Sequence, residues 1–316
     1  MAYSFVSPLT TYTEQQRLPL ITKAVFAART ASLFTKQVGI KSAAALNLMD
    51  TDAAFQSGTS CGWNTAGAAS GATSFTQRII TVAPLKIQEE LCPRSLEQYW
   101  MQSQLTAGSS YDGVPFEQAF SEQKALRIAE ALENAIWSGS TLVTGMLTLL
   151  NAASGTVVQA NASSTTWTPI SGSTGITGNN VISIFDKVYN DIPQAILTRN
   201  DLVIFCGWNN FRTLIGAFKA STGVMYNQVD LAGLADGDII YPGTNVRVIA
   251  VPGLTNTNRI VASYLGNFFL GTDLLSDEEQ FSIWFSRDND EVRFQAAFKA
   301  GVQFAYPDLI VDWKLA

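Results

Sequence analysis

Four acidic residues in the last fifth of the chain are the strongest candidates for metal chemistry. Asp273, Asp277, Glu278 and Glu279 lie close together, and carboxylate oxygens are the ligands that hard cations such as Ca²⁺ prefer. Their spacing matches no calcium-binding loop, so the sequence favours a solvated acidic turn. We therefore predict no metal site.

Two carboxylates and two amines are weaker candidates for catalysis. Asp50 and Asp52 alternate along a predicted strand, but nothing in the sequence supplies a partner acid or base, so a surface position is favoured. Lys86 and Lys124 are possible catalytic amines. Each lies in an amphipathic pattern that explains it without catalysis.

The chain contains no histidine. This excludes Ser-His and Cys-His catalysis, imidazole bases and most zinc sites. Cys61, Cys92 and Cys206 are odd in number and lack metal-binding spacing. The sequence also has no phosphate-binding loop, dinucleotide fingerprint or nucleophile elbow. We therefore expect no enzyme, no catalytic residue and no cofactor.

The composition limits the partners. Of 316 residues, 47% are hydrophobic and only 15% are charged, against about a quarter in ordinary domains. Such a surface is either polar without charge or covered by partner molecules. The net charge of −6 argues against wrapping nucleic acid with basic contacts, although it permits enclosing it at a distance. No apolar run approaches the ~18 residues of a membrane span, and no signal peptide is evident, so we expect no membrane partner.

The stretch from Asp112 to Gly139 predicts a long amphipathic helix. Pro115 suits the first helical position and Gly139 suits the stop. At 1.5 Å per residue the helix would be roughly 33 Å long and could act as a spine. The predicted buried face comprises Phe116, Ala119, Phe120, Leu126, Ile128, Ala129, Leu132, Ala135 and Ile136, and the predicted exposed face comprises Glu117, Glu122, Lys124, Arg127, Glu130 and Glu133.

A long hairpin is predicted before this helix. Residues 42–52 and 78–91 have strand character, and no charged residue occurs between Asp52 and Arg78. The segment between them is rich in Gly, Ala, Ser, Thr and Asn around Trp63. A flexible linker is the alternative. Because an isolated hairpin is marginally stable in water, a long one suggests that a partner surface holds it.

The remaining elements follow from shorter patterns. Residues 18–36 predict a helix, interpreted as an arm packed on its own or a neighbouring subunit in preference to a membrane anchor. Further helices are predicted at 95–104, 179–192 and 208–218, and strands at 201–206, 246–251 and 259–264. Residues 154–178 and 219–238 read as polar loops.

The C-terminal stretch has the clearest strand pattern. Phe281, Ile283 and Phe285 alternate before a turn at 287–290, and a second run alternates with apolar residues on one parity. That run predicts a long strand with one buried face, which would pack opposite the spine helix in an α+β body. Its apolar parity comprises Val292, Phe294, Ala296, Phe298, Ala300, Val302 and Phe304, and its polar parity includes Arg293, Gln295, Lys299 and Gln303.

Three stretches resemble the major capsid proteins of tailed bacteriophages (Caudoviricetes), which share the Hong Kong ninety-seven-type capsid fold. Residues 86–100 (KIQEELCPRSLEQYW) resemble the segment that leads from the hairpin arm into the helical body. Residues 119–139 resemble the family's spine helix, which ends in aliphatic-Trp-x-Gly. Residues 245–307, especially the stretch DNDEVRFQAAFKAGVQFAYPDLIV, resemble the closing β segment that ends in an aromatic-Pro pair.

The resemblance implies a division of the chain into five parts. Residues 1–41 would form an N-terminal arm and 42–85 an extended hairpin arm. Residues 86–140 would form a peripheral domain with the spine helix and an antiparallel sheet. Residues 141–272 would form an inserted α/β axial domain with a loop near 154–178, and 273–316 would close the peripheral domain.

The implied function is that of a major capsid protein that self-assembles, through pentamers and hexamers, into the icosahedral virion shell around double-stranded DNA. The hairpin arm would lie over an adjacent subunit, and we expect inter-subunit contacts at Ser60, Cys61, Trp63, Asn64 and Phe75. DNA would be enclosed without sequence-specific binding. Assembly would take place in the host cytoplasm, with a portal and possible decoration proteins as further partners.

Two departures from the family pattern matter. Some members cross-link a hairpin lysine to a neighbour's asparagine, but this chain has no lysine between Asp52 and Arg78, so that chemistry is not expected. Other members carry a long N-terminal scaffolding region, whereas here the arm begins almost at Met1, so we expect a separate scaffolding protein.

Three other functions stay open at this point. An encapsulin-type nanocompartment has the same fold around an enzyme cargo. A surface or receptor-binding β-protein would suit the Ser/Thr/Gly-rich stretches. A carboxylate hydrolase is a distant third.

Overall fold

A computed structural model describes residues 29–51, 73–91, 116–160, 175–220, 237–273, 282–286, 288–289 and 291–314. The predicted helix at 95–104 and most of the two predicted polar loops lie outside these residues. The described helices are α1 (Arg29–Leu33), α2 (Phe116–Trp137), α3 (Met146–Ala152), α4 (Val181–Asn190) and α5 (Trp208–Ala220).

The described strands form three sheets. A five-stranded sheet has the order β1-β10-β12-β11, with β4 also paired to β12, and a six-stranded sheet has the order β5-β13-β9-β6-β8-β7. Strands β2 and β3 form a separate two-stranded ribbon. The bounds are β1 Thr35–Gln37, β2 Ala43–Thr51, β3 Thr73–Thr81, β4 Ala83–Leu91, β5 Val158–Gln159, β6 Leu202–Gly207, β7 Asp238–Ile240, β8 Arg247–Val251, β9 Ile260–Tyr264, β10 Phe268–Gly271, β11 Ser282–Ser286, β12 Glu291–Phe304 and β13 Val311–Trp313.

The spine helix is confirmed as α2, a 22-residue helix that ends at Trp137. Gly139 follows it with φ +82°, the left-handed conformation that glycine adopts at helix ends. Five of the predicted inward residues are buried, namely Ile128, Ala129, Leu132, Ala135 and Ile136.

Two α2 assignments were wrong. Leu126 is 65% exposed although its spacing predicts burial, whereas Glu133 is only 2% exposed although its charge predicts a solvent position. Glu133 is buried because the backbone N–H and the hydroxyl of Thr30 both donate hydrogen bonds to its carboxylate. The N-terminal segment therefore covers this part of the helix.

Strand β12 confirms that the C-terminal stretch forms one long strand whose apolar parity is largely buried. Phe294, Ala296, Ala300, Val302 and Phe304 are buried on one parity. The opposite parity is not polar and exposed throughout, because Gly301 and Gln303 are also buried. The β2–β3 ribbon covers them, and Gln303 Nε2 donates a 2.8 Å hydrogen bond to the Ile79 carbonyl.

The six-stranded sheet is covered on both faces. Alternate residues of β6 enter two different hydrophobic clusters. Leu202, Ile204 and Cys206 face the cluster that contains α4 and α5. Val203 and Phe205 face the cluster shared by the end of α2 and the end of β12. This second cluster joins the spine helix and the long strand into one α+β body, as predicted.

The connectivity of this sheet differs from the order along the chain. Strands β8 and β9 follow each other around a 3₁₀ turn at Pro252–Leu254, yet β6 lies between them. Strand β6 pairs parallel with β8 and antiparallel with β9. A parallel pair needs a long crossover connection, and the segment that contains α5 supplies it.

The predicted N-terminal helix ends earlier than expected. Helix α1 stops at Leu33, and Thr35–Gln37 pairs parallel with Phe269–Gly271 as β1. Phe34, between them, stacks on Phe268 with ring centroids 5.0 Å apart. The helix propensity of residues 34–36 is therefore outweighed by pairing with a strand more than 200 residues away in the chain.

Candidate assembly surface

The β2–β3 ribbon has two chemically different faces. Its register pairs Ala43 with Thr81 and Thr51 with Thr73, so cross-strand partners share a face and alternate residues point to opposite sides. We call the side with Met49 and Phe75 the outer face. It comprises Ala43, Ala45, Asn47, Met49, Thr51, Thr73, Phe75, Gln77, Ile79 and Thr81.

Every residue of the outer face is exposed, and none is charged. Met49 and Phe75 are direct cross-strand partners, 59% and 76% exposed, and Ile79 is 62% exposed. Between them Gln77 Nε2 donates a 2.8 Å hydrogen bond to Asn47 Oδ1. Clustered large apolar side chains on a protein surface mark an interaction site more often than isolated ones do.

The inner face of the ribbon packs on the rest of the chain. Leu46 and Ile80 are buried there. The Arg78 guanidinium lies over the Phe304 ring, 4.5 Å from its centroid. Burial lowers the pKa of Arg78, and the nearby charge of Asp308 acts in the opposite direction. The body of the subunit therefore covers the inner face near the root of the ribbon, whereas Asp50, Ser74 and Thr76 farther along that face are exposed. The outer face is uncovered along its whole described length.

The predicted contact residues fall partly on this surface. Phe75 is the most exposed of the large hydrophobic residues in the described part of the chain. Ser60, Cys61, Trp63 and Asn64 lie outside the described residues, so their contacts stay a prediction. The ribbon strands themselves agree with the predicted hairpin, except that the predicted strand 78–91 divides at Val82, where the chain leaves β2 and joins β12 as β4.

The acidic candidate site differs from the prediction in the burial of Asp273. Asp273 is 1% exposed, so its assignment to a solvated turn was wrong. Its carboxylate lies 3.1 Å from Lys41 Nζ and 2.5 Å from Lys299 Nζ, which compensate the buried charge. Asp277, Glu278 and Glu279 lie outside the described residues.

The other catalytic candidates are not brought together. Lys124 forms an ion pair with Glu89, whereas Lys86 and Asp50 are exposed. Asp52 lies outside the described residues. Within the described ranges, no group of three or more His, Cys, Asp or Glu side chains could hold a metal ion.

Sequence reasoning missed a buried polar group on the spine helix. Burial raises the pKa of Glu133, and the hydrogen bonds from Thr30 oppose this shift. Trp137 Nε1 donates a 2.8 Å hydrogen bond to Thr30 Oγ1, which completes the connection between helix and N-terminal segment. One feature of the sequence could have indicated its burial: Glu133 and Trp137 are four residues apart and therefore share a helix face.

Two further buried groups also have structural explanations. Burial raises the pKa of Asp312, whereas Arg259, with Nη2 2.6 Å from Oδ2, acts to lower it. Burial also raises the pKa of the Cys206 thiol, which leaves it protonated and a poor nucleophile. Among the described residues, no helix is both long enough and apolar enough to cross a membrane.

Comparison with known proteins identifies the fold. No family model and no curated protein matches the chain. Solved capsid structures do match. The procapsid of satellite phage P4, which includes the size determination protein Sid, aligns with a TM-score of 0.58 at 10% identity over 94% of this chain and 89% of that chain. The capsid of a native GTA particle aligns with a TM-score of 0.56 at 14% identity over 93% and 90%.

A third match is a virus-like particle from Pyrococcus furiosus, with a TM-score of 0.52 at 8% identity over 99% of this chain and 100% of that chain. The chain has the fold of a tailed-phage major capsid protein. The coverage is nearly complete in both directions, so the capsid fold accounts for the body and for the β2–β3 ribbon together. The resemblance found in the sequence is confirmed at the level of the fold.

Proposed function

We propose that this chain is a non-enzymatic major capsid protein that self-assembles into the icosahedral head shell of a tailed phage and encloses double-stranded DNA. The observation that carries the proposal is the exposed, uncharged outer face of the ribbon, carried on a capsid fold. Met49, Phe75 and Ile79 would be costly in water if nothing covered them.

In the proposed shell the ribbon lies over an adjacent subunit of the same ring. Residues 42–85 act as the hairpin arm, and Ser60, Cys61, Trp63 and Asn64 extend its contact beyond Phe75. Residues 86–140 and 273–316 form the peripheral domain, and 141–272 form the axial domain around the centre of pentamers and hexamers. Residues 1–41 are the N-terminal arm, whose described part begins in the core with Thr30 and Ala31 buried.

The proposed partners follow from this role. Copies of the chain make heterologous contacts that close into rings and then into a shell. A separate scaffolding protein, a portal and possible decoration proteins complete the particle, which assembles in the host cytoplasm. The net charge of −6 suits a wall that encloses DNA without binding it tightly.

The first test is the assembly state of the purified chain. We expect hollow particles by electron microscopy and sedimentation in the megadalton range, both for the chain alone and with its scaffold. A stable monomer or trimer under all conditions would contradict the proposal and favour a receptor-binding protein.

The second test is the outer face. Phe75→Asp places a charge at its most exposed apolar position and should abolish shells while the subunit melts at the temperature of the wild type. Leu126→Asp is the matched control, since it places the same charge on a leucine of α2 that is 65% exposed. Normal shells from Phe75→Asp would contradict the role of the ribbon.

A nanocompartment shell is the second candidate. The nearly full mutual coverage with the Pyrococcus furiosus particle favours it. The contents of particles from the natural source distinguish the two functions. Nuclease-protected double-stranded DNA would support the phage capsid, whereas an enclosed enzyme would support the nanocompartment.

A further inference from the structure

The ribbon is attached to the body of the subunit by two short connections. Residues 38–42 join β1 to β2, and Val82 alone joins β3 to β4. A two-stranded ribbon has little rigidity of direction by itself. Contacts at its root therefore help to set the angle at which it leaves the body, together with the Tyr306 hydroxyl, which donates a 3.1 Å hydrogen bond to the Met49 carbonyl farther along β2.

Two glycines form a depression under that root. Gly271 of β10 and Gly301 of β12 are directly opposite each other in the antiparallel ladder, and therefore share a face. A Cβ atom on Gly301 would collide with the backbone carbonyl of Thr81. A Cβ atom on Gly271 would lie 2.8 Å from Ile80 Cδ1 and 3.0 Å from Val82 Cγ1. The absence of side chains at this pair lets the ribbon backbone rest directly on the sheet.

A small hydrophobic cluster fills the space around the glycines. Ile40, Leu46, Ile80 and Val82 are buried together, with Ala44 and Phe269 packed against them. This cluster is separate from the two larger cores of the subunit. The root of the ribbon therefore has a small hydrophobic core of its own.

A buried charge closes the same root. The Asp273 carboxylate contacts Lys41, in the connection that enters the ribbon, and Lys299, in strand β12 beneath it. Backbone hydrogen bonds flank this contact, from the Thr272 N–H to the Gln37 carbonyl at 3.0 Å and from the Ile40 N–H to the Thr272 carbonyl at 3.2 Å. Only the carboxylate of these pairs is buried, since the side chains of Lys41 and Lys299 are 67% and 30% exposed. A carboxylate at this depth requires opposite charges beside it to offset its lost hydration, and the two ammonium groups supply them.

We propose that this seat, formed by Gly271, Gly301 and the Asp273–Lys41–Lys299 ion pairs, fixes the direction of the ribbon and thereby sets the angle between neighbouring subunits. The second part rests on the proposed function, because the ribbon contacts a neighbour only in a shell. A change in the angle at each contact changes the curvature of the closed shell. The seat is thus a determinant of particle size and regularity.

The test compares two buried carboxylates. Asp273→Asn breaks the ion pairs of the seat. Asp312→Asn is the comparison variant, because Asp312 is also buried and ion-paired but lies in the six-stranded sheet, where its partner Arg259 is buried as well. Hydrogen–deuterium exchange is measured on the unassembled subunits, and particle diameters are measured by electron microscopy.

We expect Asp273→Asn to accelerate amide exchange in residues 42–46 and 79–81 by about tenfold, since local opening of the root exposes these amides. Exchange in β6 should not change. Its particles should have a broader range of diameters than the wild type, whereas Asp312→Asn should leave both the root amides and the diameters unchanged.

Each result decides one part of the inference. Unchanged exchange at the root in Asp273→Asn would overturn the seat. Faster exchange with wild-type diameters would overturn its role in curvature. A wild-type chain that never forms shells would overturn the proposed function instead, and the exchange data would still decide whether the seat holds the ribbon.

Discussion

At the scale of single residues, Glu133 shows how the fold uses a charge inside its core. Its carboxylate accepts hydrogen bonds from Thr30, whose hydroxyl oxygen accepts a hydrogen bond from Trp137 Nε1. The three side chains connect the spine helix to the N-terminal segment. Burial favours the neutral acid and raises the pKa of Glu133 above its ordinary value of 4.5.

The sign of the pH dependence follows from that shift. The folded state binds the Glu133 proton more tightly than the unfolded state, so the ionised residue lowers the free energy of unfolding above the folded pKa. This loss is relieved as the pH falls through the folded pKa towards 4.5. The variant Glu133→Gln is uncharged at every pH and keeps hydrogen-bonding groups in the same place.

We therefore expect the difference in unfolding free energy, Glu133→Gln minus wild type, to be more positive at pH 8 than at pH 5. Urea denaturation of unassembled subunits measures it. Glu130→Gln is the control, because Glu130 is exposed on the same helix and forms an ion pair with the exposed Arg127. An equal difference at both pH values would contradict the assignment.

A second residue-scale prediction concerns the turn after α2. Gly139 and Gly145 approach each other so closely that a Cβ atom on Gly145 would collide with the Gly139 backbone nitrogen and the Trp137 carbonyl. Gly145→Ala should therefore destabilise the subunit by roughly 2 kcal/mol or more, the range of a forced steric change in a packed site. Gly216→Ala, on the exposed side of α5 with open space around its Cβ position, should instead stabilise it by about 0.5–1 kcal/mol.

Thermal unfolding of the two glycine variants provides the measurement. Opposite shifts in melting temperature are expected for the same chemical change, because one glycine is required by backbone contact and the other is not. A Gly145→Ala protein that melts with the wild type would show that the turn can relax.

At the scale of elements, the N-terminal segment and the ribbon carry phenylalanines with opposite roles. Phe34 is 4% exposed and contacts Trp137, Phe205 and Phe268, whereas Phe75 is 76% exposed. Phe34→Ala should lower the free energy of unfolding of the subunit by about 3–5 kcal/mol. Phe75→Ala should change it by less than about 0.5 kcal/mol but should weaken assembly.

Chemical denaturation and a sedimentation assay of assembly together test this reversal. If Phe75→Ala destabilised the isolated subunit as much as Phe34→Ala, the outer face would be covered by the chain itself. That result would remove the ribbon as an assembly surface.

The elements with strong local periodicity could be predicted from the sequence. The alternation from Val292 to Phe304 and the helical spacing before Gly139 depend on neighbours a few residues apart, and both elements were found. The ribbon strands were predicted from the strand character of residues 42–52 and 78–91. These features determine the capsid fold and the location of its candidate contact surface.

The features that were missed depend on partners distant in the chain. Thr30 and Glu133 are 103 residues apart, and a lone glutamate on a helix ordinarily indicates a solvent face. The sequence around Asp273 is typical of a surface turn, and its burial is explained only by the contact with Lys299 in the folded chain. Residues 35–37 have little strand character of their own, and they form strand β1 because they pair with the edge of β10. Such pairings arise from tertiary contacts that no local pattern encodes.

At the scale of the whole molecule, the charge distribution predicts how assembly responds to conditions. Only 15% of the residues are charged, and the outer face of the ribbon carries no charge. Contacts made by such a face depend on the burial of apolar surface, which is driven by entropy near room temperature and strengthens on warming. Contacts between charged surfaces instead weaken as salt screens them.

We therefore expect the concentration needed for assembly to fall when the temperature rises within the range where the subunit stays folded. It should change by less than about threefold when NaCl is raised from ~0.05 M to ~0.5 M, because an uncharged contact offers salt little to screen. Light scattering of subunit solutions measures how the assembly concentration depends on temperature and on salt. The variant Arg199→Met removes an exposed ion pair with Asp201 outside the ribbon and serves as a reference for charge effects elsewhere on the surface. A concentration that rises steeply with salt would show that charged surfaces and not the outer face hold neighbouring subunits together.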